Sequence, residues 1–253
     1  MENSVKITAL AITLNEAKII ESFVNSLWFV DEIIILDSYS SDNTVELASK
    51  NEQVTVYKRK FDNFSAQKNF AISKANNDWI IFFDPDEEVT KPLAEEIIAT
   101  LKNPTSIAYF TKREFYFMEK RIKFSGFQTD WVVRLFNKKY CKYNGNLVHE
   151  LLETDGKTSK LKNRLPHYSY KSFDDYTGKL HRYSALQAQM LYADKTKPTL
   201  ARFLFRPLYR FWYQYLIRLG ILDGKEGFIL AYINAFSVFK RYTNLWMLYR
   251  KID

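Results

Sequence analysis

Apolar and polar positions switch between two periods along the first part of the chain. "VKITALAIT" (5–13) gives way to a helical spacing from about Glu16 to Trp28, and "DEIIILD" (31–37) precedes "SSDNTVELASK" (40–50), where Ser41 or Asp42 can cap a helix. "VTVYKRK" (54–60) leads into "SAQKNFAISKA" (65–75), and "DWIIFFD" (78–84) is followed by a helix whose start is marked by Thr90 and Pro92. Strand then helix, repeated in this way, predicts an α/β fold with a mostly parallel sheet flanked by helices. From Ile107 to about Tyr170 the runs shorten and become aromatic, as in "IAYFTKREFYF" (107–117) and "WVVRLFNKKY" (131–140), punctuated by Gly126, Gly145 and Gly156. That pattern predicts antiparallel strands and loops. From Phe173 onward helices are expected. The predicted organisation is a domain over 1–172, with halves 1–104 and 105–172, and a helical extension over 173–253.

Open sheets of this kind bind ligands outside the carboxyl ends of their strands. The polar residues there are Thr13, Asn15 and Glu16 after the first strand, Asp37, Ser38 and Ser40 after the second, and Asp84 and Asp86 after the fourth. "DPDEEV" (84–89) ends an apolar run in four acids. Acids are common neighbours of a helix start, but two carboxylates one residue apart on a tight turn can also both reach a divalent metal.

Composition narrows the chemistry. The 253 residues are 47% hydrophobic and 17% aromatic, enough for one core and an appendage, and the net charge of +8 calls for an anionic partner. A single cysteine, Cys141, excludes an intrachain disulfide and a cysteine-rich zinc site. The N-terminal stretch is unlike a secretory signal, and the uncharged segment 227–239 falls short of the roughly 20 residues that span a bilayer, so a cytoplasmic location is expected. Seven glycines supply neither a Walker A loop nor GxGxxG. A diphosphate bound here would need a metal held by oxygen ligands instead.

"AITLNEAKIIESFVNSLWFVDEIIILDSYSSDNTVELA" (11–48) followed by "QKNFAISKANNDWIIFFDPDEEV" (67–89) resembles the family 2 glycosyltransferases of GT-A fold, and more narrowly the subgroup of lipopolysaccharide-core β-glucosyltransferases. "VVRLFNKK", "GNLVHELLE" and "PHYSYKSFDDYTGKLHRYS" extend the likeness over about the first 190 residues. The resemblance implies a metal-dependent inverting transfer of a hexose from a nucleotide sugar, UDP-linked in many relatives, to a glycan or glycolipid acceptor in bacterial cell-surface polysaccharide or lipopolysaccharide-core synthesis. It implies Mg²⁺ or Mn²⁺ at the DxD pair Asp84 and Asp86, with His167 completing the metal shell. Thr13, Asn15, Glu16 and Asp37 are then the nucleoside side, with Lys68 towards a phosphate and Asp84 towards the ribose or a metal-bound water. Arg134 anchors acceptor or phosphate, or serves as a structural ion-pair partner.

Inversion needs a carboxylate to take the acceptor hydroxyl's proton. Glu150 in "VHE" is the first candidate and Asp130 in "QTDW" the second. A non-catalytic glycan-binding or scaffold protein on the same fold is the alternative. A nucleic-acid-binding protein fits less well, because the acids gather at the strand ends and the basic stripe lies outside the α/β region. That stripe, "LARFLFRPLYRFWYQYLIRLG" (200–220), places Arg202, Arg206, Arg210 and Arg218 on one broad side of a helix that Pro207 should bend or interrupt. Its other positions are largely aromatic and aliphatic. An anionic membrane surface is therefore an expected partner, placing the protein peripherally on the cytoplasmic face of the inner membrane.

Overall fold

The computed structural model describes residues 5–145, 151–170 and 172–252. They form two compact units, one of residues 1–113 with 130–167 and one of residues 114–129 with 168–253. The segment 114–129 thus groups with the C-terminal helices, whereas the sequence pattern places a single boundary after 172.

The first unit contains β1 (Ile7–Thr13), α1 (Ile20–Ser26), β2 (Glu32–Asp37), α2 (Thr44–Ala48), β3 (Val54–Lys58), α3 (Phe64–Lys74), β4 (Trp79–Phe82) and α4 (Lys91–Lys102). β5 (Ala108–Phe117) runs from this unit into the second, where it pairs with β6 (Lys120–Arg121). The first unit continues with β7 (Trp131–Asn137), β8 (Cys141–Tyr143), β9 (Leu152–Thr154) and β10 (Thr158–His167). The main sheet runs β10-β5-β7-β4-β1-β2-β3. β1 pairs in parallel with β2 and β4, and β3 in parallel with β2. β7 joins β4 antiparallel, and β5 joins β7 antiparallel.

The apolar runs of the central strands are continuous because both faces are covered. Ala9, Ala11, Ile33, Ile35, Ile81 and Phe83 pack with Ile20, Phe23, Leu93 and Ile97 of α1 and α4. Leu10, Ile34, Leu36, Ile80 and Phe82 turn the other way, onto Ala71 and Ala75. The period of two in the strand thus feeds two cores. α1 starts later than its spacing suggests, because the backbone N–H groups of Glu16 and Ala17 donate to Thr44 Oγ1 (2.7 Å) and Asp42 Oδ2 (3.2 Å) and hold a loop instead. The N-cap of α2 is Asn43, which makes no side-chain capping hydrogen bond, rather than Ser41 or Asp42; Asp42, one residue earlier, accepts from the Thr44 N–H (3.0 Å).

The second unit contains α5 (Phe173–Ala193), α6 (Leu200–Trp212) and α7 (Lys225–Arg250). α6 continues through Pro207 and passes into a π-helical turn, Tyr213–Ile217, rather than stopping at the proline. A 3-10 turn, Gly220–Asp223, follows. Buried Asp223 accepts from the N–H groups of Lys123 (2.9 Å) and Phe124 and from Ser125 Oγ (2.8 Å), tying residues 123–125 to that turn. Gly227 is required here, since a Cβ on it would lie 1.9 Å from the Gly220 carbonyl oxygen. Among the described residues no helix is long and apolar enough to cross a membrane.

Ile35 is fully buried on β2, between β1 and β3. Ile35→Ala is expected to lower unfolding stability by about 2–5 kcal/mol and Ile35→Val by about 0.5–1.5 kcal/mol, measured by urea denaturation. Equal effects would contradict the packing described.

Candidate active site

β4 delivers its last residues into a buried end, with Phe82 and Phe83 essentially inaccessible, and the chain then turns sharply. The turn closes on itself: Glu87 N–H donates to the Asp84 carbonyl (2.9 Å), while Asp84 N–H donates to Glu87 Oε2 (3.0 Å). Glu87 therefore points inwards, with its side chain wholly buried. Its charge is met by Arg134, 4% exposed, whose Nη2 donates to Glu87 Oε1 at 2.5 Å and also pairs with Asp84 Oδ2. The register explains the meeting. β7 runs antiparallel to β4 with Leu135 opposite Ile81, so Arg134 is one step further towards the acidic turn.

Electrostatics follow this arrangement. Burial alone would raise the Asp84 carboxyl, but the charges of Arg134, Lys68 and His167 outweigh it and hold the group well below the usual carboxylate range. Burial pushes Glu87 up even against Arg134, with Asp84 adding to the rise. Burial opposes the Arg134 charge, yet Asp84 and Glu87 more than compensate and raise its pKa. Arg113 completes the cluster from β5, 3.8 Å from Glu87 Oε1.

His167 reaches this turn from the end of β10. An antiparallel bridge joins Glu87 to His167, and the Glu88 N–H donates to the Pro166 carbonyl (2.9 Å). His167 Nε2 consequently lies 3.3 Å from Asp86 Oδ2. Lys68, on α3, stands over the rings of Tyr143 (4.9 Å), Phe82 (5.7 Å) and Phe64 (5.9 Å), close enough to act on Asp84.

The loops after β1 and β2 are laced together. Thr13 Oγ1 and Ser40 Oγ donate to Asp37 Oδ1 (3.1 and 2.5 Å), and Ser40 N–H donates to Asp37 Oδ2 (2.8 Å). Asn15, at φ 59°, accepts from the Ser41 N–H (2.8 Å), and its own N–H donates to Ser40 Oγ (2.9 Å). Asp37 and Thr13 are buried, so they form the frame of this corner, and Tyr39, 61% exposed with φ 65°, is its outward aromatic. Gln67 of α3 borders the corner with Nε2 3.4 Å from Ser38 Oγ.

Of the two carboxylates considered for proton transfer, Asp130 has both oxygens engaged by Arg113, at 2.9 and 3.1 Å. Glu150 lies outside the described residues, as does the neighbouring His149. Sequence reasoning assigned no role to Glu87 or Arg113. The signal for Glu87 was its place three residues after Asp84, the spacing at which a side chain can return to a backbone N–H.

Residues 8–153 match the family model described as glycosyl transferase family 2. An uncharacterized glycosyltransferase of Rickettsia conorii is 31% identical over 255 residues, covering 95% of this chain and 89% of that protein. The chain belongs to glycosyl transferase family 2. The lipopolysaccharide core biosynthesis glycosyltransferase LpsC of Rhizobium meliloti is 23% identical to this transferase over 252 residues, covering 93% of each. Among solved structures, S. aureus TarS 1-349 aligns with a TM-score of 0.49 at 14% identity, covering 98% of this chain and 92% of that one. The transferase has the mostly parallel, helix-flanked sheet expected of a GT-A fold.

Because Glu87 has no water to turn to, Arg134→Met in this transferase should lower stability by about 3–5 kcal/mol. Adding Glu87→Gln to that variant should restore part of the loss. Urea denaturation of the two variants checks this, and a double variant less stable than the single one would contradict it.

Proposed function

We propose that this transferase moves a hexose, with inversion, from a nucleotide sugar, UDP-linked, to a hydroxyl of a glycan or glycolipid acceptor in bacterial cell-surface polysaccharide or lipopolysaccharide-core synthesis. The observation that carries the reading is the approach of Asp86 and His167, 3.3 Å apart, beside an Asp84 kept ionised by Arg134. The 23% identity to LpsC along most of both chains supports the choice of acceptor pathway.

The donor set suits Mg²⁺ or Mn²⁺. Asp86 Oδ2 and His167 Nε2, 3.3 Å apart, would offer such an ion one oxygen and one nitrogen donor. Among the described residues no cluster of three or more His, Cys, Asp or Glu side chains is arranged to hold an ion. Remaining positions would then fall to water and to diphosphate oxygens, as is usual for Mg²⁺. Asp86 and His167 would hold the ion, with Asp84 facing the ribose or a bound water. Its chemistry is to neutralise the charge that grows on the departing diphosphate.

The chain's own groups do the rest. Thr13, Asn15, Glu16 and Asp37 form the nucleoside side, and Lys68 faces a donor phosphate. A carboxylate must accept the acceptor's proton as its oxygen attacks the anomeric carbon. We assign this to Glu150, with Asp130 as the second choice because its oxygens are already engaged by Arg113.

The reading is tested by incubating purified protein with a panel of nucleotide sugars and acceptor glycans, with and without Mn²⁺ or Mg²⁺, and following nucleotide release. One donor should turn over only with metal, and Asp86→Ala should reduce turnover at least about a hundredfold. Glu150→Gln should lower kcat by on the order of 10²–10⁴ while the donor still binds. No turnover with any donor, or full activity in Asp86→Ala, would contradict the proposal.

We also propose that α6 attaches the protein peripherally to anionic membrane on the cytoplasmic face. Leu204, Phe205, Leu208, Tyr209 and Trp212 are each more than half exposed on one arc of this helix, and Arg202, Arg206 and Arg210 flank them. Basic residues near an anionic surface each add about 1 kcal/mol of attraction. Flotation with phosphatidylglycerol vesicles should therefore succeed at low salt, weaken at high salt and fail for Phe205→Ser with Trp212→Ser. Absence of flotation at both low and high salt would contradict the attachment.

A further inference from the structure

Three arginines of the helical unit, Arg206, Arg210 and Arg241, lie close enough to act on one another, and among the described residues no carboxylate is ion-paired with them. Arg206 and Arg210 are four residues apart on α6 and share a face. Phe203, one turn before Arg206, packs on Phe239 (5.9 Å) and Tyr242 (6.4 Å), so this part of α6 lies against the turn of α7 that carries Arg241. Side chains on a helix lean towards its N-terminus, which directs Arg241 back along α7 towards Arg206 and Arg210.

Arg241 is half-buried, and its Nε is fully enclosed with no hydrogen-bond partner. Burial lowers its pKa; Tyr242 opposes the fall, and the positive charges of Arg210 and Arg206 add to it. Among the described residues no carboxylate forms an ion pair with Arg206, Arg210 or Arg241. A fold gains nothing from holding like charges together around an enclosed, unsatisfied donor.

We infer that Arg206, Arg210 and Arg241 form a phosphate-binding site whose ligand is the headgroup phosphate of an anionic phospholipid. Guanidinium groups offer paired N–H donors that match the oxygens of a phosphate. The source of the phosphate is argued from the neighbours. Phe205 (67% exposed), Leu208 (54%) and Tyr209 (64%) stand beside these arginines on α6, so an oxyanion bound there carries its acyl chains alongside apolar side chains. The site belongs wholly to the helical unit. It rests on the peripheral attachment of α6 to anionic membrane proposed above and not on the transfer reaction.

The test compares full-length wild type, Arg241→Gln, and Arg206→Gln with Arg210→Gln, using two probes at matched ionic strength. One probe is inorganic pyrophosphate, read as a shift in Tm; the other is vesicles of phosphatidylcholine with and without phosphatidic acid, read by co-sedimentation. Wild type should bind the phosphatidic acid vesicles, and each variant should bind them at least about tenfold more weakly. Free of ligand, Arg241→Gln should have a Tm equal to or above that of wild type, because it removes a repulsion. A residue with only a structural role would instead lower that Tm and leave vesicle binding unchanged, which overturns the proposal. Stabilisation of wild type by pyrophosphate without vesicle binding would keep the phosphate site and overturn the lipid as its source. No response of wild type to either probe, or equal responses in all three proteins, overturns both parts.

Discussion

The buried guanidinium of Arg134 governs the shape of the acidic turn at the end of β4. Asp84 and Glu87 are three residues apart on a tight turn at the end of a buried strand, and neither could keep its place there without a positive charge between them. Desolvating three charges is unfavourable by itself, so such clusters contribute little net stability but penalise any arrangement that leaves one member alone. The consequence is geometric. With Glu87 turned inward, the bridge to His167 forms along the turn and Asp86 is left facing the imidazole.

Sheet topology makes this possible. An all-parallel sheet would leave the neighbour of β4 to another strand of the same sense, with its polar residues at the same end. The antiparallel β7 instead brings the middle of its own run, at Arg134, to the mouth of β4. The first unit thus combines a parallel half, which supplies the corner of Thr13, Asn15 and Asp37, with an antiparallel half, which supplies Arg134, Arg113 and His167.

The parallel half was legible in the sequence because its signals are local. The apolar runs at 31–37 and 78–84 end at Asp37 and Asp84, and the period of two appears in the structure as two separate cores. The inward orientation of Glu87 had one local signal, its place three residues after Asp84, but in a run of acids that spacing alone does not say which carboxylate turns in. Nor was Arg134's partnership with both Asp84 and Glu87, which depends on a strand register spanning some fifty residues. Asp37 was legible as a strand-end acid, but its hydrogen bonds to Thr13 and Ser40 are long-range or turn-dependent and emerge only in three dimensions. In the helical unit, the amphipathic stripe was evident, whereas the gathering of Arg241 with Arg206 and Arg210 required the packing of α6 on α7.

In the proposed function, the turn held by Arg134 presents Asp86 and His167 to a metal-bound nucleotide. Anomalous diffraction from crystals soaked with Mn²⁺ and UDP tests it most directly. The account predicts a manganese peak within bonding distance of Asp86 and His167, with the diphosphate beside it. A nucleotide bound with no metal at that position, or manganese bound only elsewhere, would contradict the account.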